Sequence, residues 1–138
     1  MIVYCAGAIK GDISYQEGYQ EIIDIVKGEG HSALSELNPD FHSAIPLSEK
    51  QVFQRDIKWI EKSAVMIAEI SGPSLGVGFE ISYALYEREI PVLALYNADV
   101  DNVSAMIRGC DSELIYVRKY NNSEELADII KSFLKQQV

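Results

Sequence analysis

Four short, nearly unbroken apolar runs, "MIVYCA" (1–6), "AVMIAEI" (64–70), "PVLALY" (91–96) and "LIYV" (114–117), limit what this chain can become. Each is long enough for a strand and too continuous for a sheet with one wet face, so each predicts a strand covered on both sides. A weaker fifth run, "SALSEL" (32–37), fits between the first two. Between the runs apolar residues recur at helical spacing: Tyr19, Ile22, Ile23 and Val26; Val52, Phe53, Ile57 and Ile60; Ile81, Ala84 and Leu85; and Leu126, Ile129, Ile130 and Phe133. Strand and helix alternate, which predicts an α/β fold: an open, parallel five-stranded sheet with helices on both faces. Ligands of such sheets sit at the carboxyl ends of the strands, where the strand order reverses.

The 138 residues fit one domain, 1–138, and a hydrophobic fraction of 48% is enough to bury a core without disulfides or metal. The formal net charge of −9 comes from acids spread along the chain, with no Lys/Arg cluster to grip a phosphate backbone, so a nucleic-acid polymer is not an expected partner. Cys5 and Cys110 show no CxxC spacing and read as free thiols of a reducing compartment, which points to a cytoplasmic protein. No apolar run approaches the roughly 20 residues that cross a bilayer, and the N-terminus does not read as a signal, so no membrane partner is expected. His31 and His42 stand apart from each other and from the cysteines; no metal and no cofactor is called for.

The loops that leave the strands carry the candidate chemistry. In "GAIKGD" (7–12), Gly7 and Gly11 let a ligand approach the backbone and Lys10 can neutralise an anion, but neither GxGxxG nor GxxxxGK[ST] is present, and a plain tight turn is an equal reading. In "SGPSLGVG" (71–78), Ser74 offers a hydroxyl and Gly76 and Gly78 offer backbone N–H groups; Glu80 then falls in the expected first turn of the next helix. There it would complement the helix dipole, worth about 0.3–1 kcal/mol. As a capping-box acid it would need Val77 as its cap, a poor N-cap residue. A carboxylate held beside glycines at a strand end suits attack on an electrophilic carbon. Asp56 in "FQRDIKWI" lies one turn from both Val52 and Ile60 on an apolar stripe, where it either serves the chemistry or pairs with Arg55 or Lys58 at the margin. Glu69, at the end of the third run, points inward or accepts from loop backbone. In "VSAMIRG" (103–109), Ser104 reads as a helix cap, Met106 as packing and Arg108 as a solvated base; Trp59 reads as core.

Taken together, "AEISGPSLGVGFEISYAL", "VSAMIRG", "VYCAGAIKG" and "RDIKWI" resemble the 2'-deoxynucleoside 5'-phosphate N-hydrolases of the nucleoside 2-deoxyribosyltransferase superfamily, in the same order and across nearly the whole chain. The resemblance implies a flavodoxin-like sheet, a homodimer, and hydrolysis of a small-molecule substrate, a deoxynucleoside monophosphate, to free base and 2-deoxyribose 5-phosphate. It puts the nucleophile on Glu80 and an assisting acid on Asp56. It puts phosphate contacts on the first loop (Gly7, Ala8, Ile9, Lys10, Gly11, Asp12 and Ile13), on Ser74, and on Ser104 reaching in from the partner subunit, with Ala105 and Met106 beside it. Tyr4 and Tyr19 match tyrosines on the sugar side. Two positions depart from that pattern: Ala8 stands where a phosphate-binding serine is usual, and Leu37 stands nearest to a base-side histidine. A nucleoside 2-deoxyribosyltransferase is the rival reading; members of that branch tend to carry an acid six residues before the nucleophile, where this chain has Ser74. A ribonucleotide hydrolase of the same superfamily is a third possibility, and a catalytically silent nucleotide-sensing module is a fourth.

Overall fold

A computed structural model describes residues 1–138. The elements run β1 (Ile2–Ala6), α1 (Gln16–Gly28), β2 (Ser32–Leu34), α2 (Glu49–Lys62), β3 (Val65–Glu69), α3 (Leu75–Ser82), β4 (Val92–Asn97), α4 (Ala105–Arg108), β5 (Ile115–Tyr120) and α5 (Ser123–Gln137). All strands are parallel and their order is β2-β1-β3-β4-β5. The expected α/β sheet is therefore present, and its order reverses between β1 and β3. The fifth run contributes only the three residues Ser32–Leu34 to the sheet, because Ser35 to Leu37 already turn out of it.

The two-residue period of the strands sorts their side chains between two helical layers. Val3, Cys5, Val65, Ile67, Leu93 and Leu95 meet Ile22, Ile23 and Val26 of α1 and Leu126, Ile130 and Phe133 of α5. Tyr4, Ala6, Met66, Ala68, Val92 and Ala94 face the other way, onto Ile60 of α2 and Val77 and Ile81 of α3. Each fully buried Ile or Leu contributes about 1.5–3 kcal/mol to holding these layers.

The helix boundaries follow local chemistry. Helix α2 starts at a capping box: Ser48 Oγ accepts from the Gln51 N–H, and Gln51 Oε1 accepts from the Ser48 N–H. Helix α3 starts earlier than the glycines suggest, because Ser74 caps it, accepting from the Val77 N–H at 3.3 Å. Gly76 and Gly78 thus lie inside the helix, and Glu80 lies in its second turn, out of reach of the helix-dipole role. A π-helical turn, Tyr83–Glu87, continues α3 towards β4. On α2 only Ile60 is fully buried; Phe53, expected on the apolar face, is 54% exposed and packs edge-on against Phe79.

Candidate active site

The exits of β1 and β3 meet at the point where the strand order reverses, and they are locked together by backbone. The Asp12 N–H donates to the Pro73 carbonyl at 3.2 Å. A Cβ on Gly11 would lie 2.4 Å from that same oxygen, and a Cβ on Gly72 would lie 2.4 Å from the Asp12 carbonyl, so only glycine permits this approach. The Asp12 carboxylate closes its own turn by accepting from the Ser14 N–H and hydroxyl, at 3.0 and 2.6 Å, and those bonds hold it below its ordinary pKa. In this first loop Gly7 and Ala8 are buried, Ile9 is half-buried, and Lys10, Gly11, Asp12 and Ile13 are exposed.

Glu80 lies on α3, the helix that leaves the second of these loops. It is half-buried, and Oε2 accepts from the Tyr4 hydroxyl, which β1 delivers because even-numbered residues of that strand face α2 and α3. Desolvation pushes the Glu80 carboxyl up to about 7; the Tyr4 hydrogen bond opposes this, Asp56 and Glu36 reinforce it, and Arg55 opposes it. Asp56 is also half-buried and lifted by desolvation, while the Arg55 guanidinium, whose Nε donates to Oδ1 at 2.9 Å, pulls it back. The Arg55 pairing anticipated for Asp56 is thus present, and the same aspartate is close enough to Glu80 to act on its charge. Arg55 Nη2 lies 3.5 Å from Glu36 Oε2, is shielded from solvent and has no hydrogen-bond partner; its guanidinium sits 4.6 Å above the Trp59 ring.

Reading the sequence missed Glu36 and the second half of Arg55's role. An acid directly after a strand, in "LSELN", was the available signal, since that is where ligands meet such sheets.

Tyr19, like Tyr4, is buried. Its ring underlies Gly7, and its hydroxyl donates to the Cys5 carbonyl at 3.1 Å and accepts from Ser35, so the ring supports the first loop from beneath. Ser74 uses its oxygen as the α3 cap and keeps its hydroxyl proton to donate. Ser104, Ala105 and Met106 are exposed on the β4–β5 connection and make no hydrogen bond to the groups above. Two expectations fail there. Ser104 occupies the N-cap position of α4 without a side-chain cap bond, because the N3 amide, that of Ile107, donates to the Ser104 backbone carbonyl at 3.2 Å instead. Met106 is 85% exposed and is not part of the packing. Trp59 is half-buried, edge-on to Phe41 at 5.9 Å, and Arg108 lies over the Tyr96 ring.

Comparison with known proteins agrees with this fold. A family model described as nucleoside 2-deoxyribosyltransferase matches residues 3–123. A Methanosarcina mazei protein named "Putative 2'-deoxynucleoside 5'-phosphate N-hydrolase 1" is 37% identical, with 96% of this chain and 83% of that one covered. The 5-hydroxymethyl-dUMP N-hydrolase of Esox lucius is 34% identical, with 98% and 97% covered. Among solved structures, a Clostridium botulinum CMP N-glycosidase superposes with a TM-score of 0.69 at 19% identity, covering 95% of this chain and 98% of that one. The matched span takes in β1 from Val3 on, all of β2 to β5 and both clasped loops, and these two relatives are similar to the chain over most of their own length: the chain belongs to the nucleoside 2-deoxyribosyltransferase family.

Proposed function

We propose that the chain, working as a single domain over residues 1–138, hydrolyses the N-glycosidic bond of 2'-deoxynucleoside 5'-monophosphates, with Glu80 as nucleophile. The observation that carries this reading is the half-buried Glu80 carboxylate, accepting from Tyr4 and lifted by desolvation to about 7, on the helix that leaves one of two clasped loops. The relatives named as N-hydrolases support the same chemistry.

In the first step the ionised Glu80 attacks C1' as the C1'–N bond opens; the departing base takes the bonding pair and a proton from solvent, and C1' becomes an ester of Glu80. In the second step water attacks C1', the ester C–O bond breaks, Glu80 leaves as a carboxylate, and the ionised Asp56 takes the proton from water and passes it to solvent. One water is consumed; free base and 2-deoxyribose 5-phosphate are released. Positive charge on the sugar at each transition state is shared by Glu80, whose burial makes that interaction stronger than it would be in water. The Tyr4 hydroxyl fixes which oxygen attacks. Its donated bond also keeps Glu80 from rising further towards the neutral form, which is unreactive.

The phosphate is the binding handle. Ser74 donates its free proton to it, the N-terminal amides of α3 and the first-loop backbone surround it, and Lys10 supplies charge where Ala8 supplies no hydroxyl. A carboxylate at position 74, as in the transferase branch, would repel that group; this residue favours the hydrolase over a deoxyribosyltransferase.

A homodimer completes the site in this reading. Leu75 is 97% exposed, and Phe53 and Phe79 form an exposed aromatic pair, surface that a second copy would cover; Ser104, Ala105 and Met106 of that copy would then close over the phosphate. The cytoplasm is the proposed compartment. The test is a panel of deoxynucleoside monophosphates, ribonucleoside monophosphates and unphosphorylated deoxynucleosides, assayed for free base with and without a second base as acceptor. Release of base from the deoxynucleoside monophosphates alone supports the reading; transfer to the second base, or binding without release, replaces it.

A further inference from the structure

Glu69 is almost fully buried, with 3% of its surface exposed, and it has no part in the chemistry at C1'. It ends β3 on the side of the sheet covered by α1 and α5, opposite the side where Tyr4 meets Glu80. Its two oxygens take two different donors. Oε1 accepts from the Ser71 backbone N–H at 2.6 Å, and Oε2 accepts from the hydroxyl of Tyr120, the last residue of β5. Ser71 passes the connection on: its hydroxyl accepts from the backbone N–H of Asn97, at the end of β4, at 2.8 Å. One carboxylate therefore ties the exits of three neighbouring strands.

The fold makes room for this arrangement at a cost to a helix. Gly18 lies within α1, where glycine weakens a helix, and a Cβ there would come within 2.5 Å of the Tyr120 hydroxyl and 3.5 Å of Glu69 Oε2. The absence of a side chain at 18 is what lets Tyr120 reach the acid. Burial lifts the Glu69 carboxyl above its ordinary range, and the bonds from Tyr120 and Ser71 pull it down, so the group is held by its donors.

The turn that Glu69 grips is the one that matters for ligand binding. Ser71 is followed at once by Gly72, packed on Asp12, then by Pro73, whose carbonyl takes the Asp12 N–H, then by Ser74, the α3 cap. Moving the Ser71 amide moves all four residues and the first loop with them. We infer that Glu69 is a positioning residue that sets the height of the 71–74 turn and so aligns Ser74 and the first loop for the 5'-phosphate of the substrate. This rests on the hydrolase reading for the identity of the ligand, and not for the geometry of the turn.

The experiment pairs Glu69→Gln with Tyr120→Phe and measures binding of 2-deoxyribose 5-phosphate by calorimetry alongside steady-state turnover of a deoxynucleoside monophosphate. Glutamine keeps the size of the side chain but offers only one acceptor oxygen for two donors. The expected result for Glu69→Gln is about tenfold weaker binding and a KM raised to match, with kcat within about threefold of wild type, as small displacements of a positioning group produce. Tyr120→Phe, which keeps the Ser71 bond, should weaken binding less, in the same direction. Unchanged binding in Glu69→Gln overturns the inference, and so does a fall in kcat equal to the fall in kcat/KM. If Glu69→Gln does not fold, Tyr120→Phe decides: weaker sugar-phosphate binding with kcat preserved supports the inference, and wild-type binding overturns it. A wild-type protein that binds the sugar phosphate but releases no base refutes the hydrolase reading and leaves the binding arm to judge Glu69; one that does not bind it at all refutes both.

Discussion

The Tyr4 hydroxyl donates to the Glu80 carboxylate across 76 positions of chain, joining the middle of the first strand to the second turn of the third long helix. That bond lowers the Glu80 pKa against the desolvation that lifts it. Tyr4→Phe therefore leaves a carboxylate facing an apolar ring, and Glu80 becomes harder to ionise. The acid limb of the pH profile for kcat/KM should move to higher pH than in wild type, where it should lie near 7. A limb that stays in place would show that the bond does not tune the nucleophile.

Asp56→Asn makes the opposite shift. The charge on Asp56 raises the Glu80 pKa, so its removal should move the acid limb to lower pH while the plateau rate falls, since the attacking water loses its base. Measuring both variants from acid through mildly alkaline pH separates a general loss of structure, which would move neither limb, from the paired and opposite shifts expected here.

Glu80→Gln should abolish base release, by at least about a thousandfold, and keep nucleotide binding. It should also stabilise the protein, with a definite pH dependence. A carboxyl whose folded pKa is raised from 4.5 to about 7 contributes stability that is fully present below 4.5 and is lost as pH rises through 7. The lost amount is on the order of 3 kcal/mol by the size of the shift. Glutamine still accepts from Tyr4 and cannot ionise, so Glu80→Gln should melt higher than wild type at about pH 8 and close to it at about pH 4.5, as followed by thermal denaturation.

Ser74→Asp tests the handle. An acid at this position keeps the α3 cap but faces the phosphate with like charge, so KM for a deoxynucleoside monophosphate should rise by about a hundredfold or more. Any activity on the unphosphorylated deoxynucleoside should be untouched. Equal loss on both substrates would remove Ser74 from the phosphate site.

Gly72→Ala should weaken both folding and phosphate binding, because its methyl group would lie 2.4 Å from the Asp12 carbonyl, a backbone atom that cannot rotate away. A cost of about 1–3 kcal/mol is expected from denaturant titration, in the range of an overpacking change.

The sheet is legible in the sequence because its strands are buried on both sides and so written as continuous apolar runs; β2 comes from the weakest run and is the shortest strand. The start of α3 is not legible, since Gly76 and Gly78 lower helix propensity and hide the cap at Ser74, which only the folded loop reveals as an acceptor for Val77. Glu80 is recognisable from its neighbours in sequence. Glu36 is legible only as an acid just past a weak strand; its pairing with Arg55 is not, because no periodicity links the two positions. Helical spacing puts Phe53 in the core, yet spacing cannot tell a face that meets the sheet from one that meets Phe79 at the surface.

The interlocked glycines at 11 and 72 also constrain how this architecture can change. Neither segment can be given a side chain at its crossing point while its counterpart stays as it is, so a change in one demands a matching change in the other. Anyone transplanting a different anion preference onto this scaffold would have to move both segments at once.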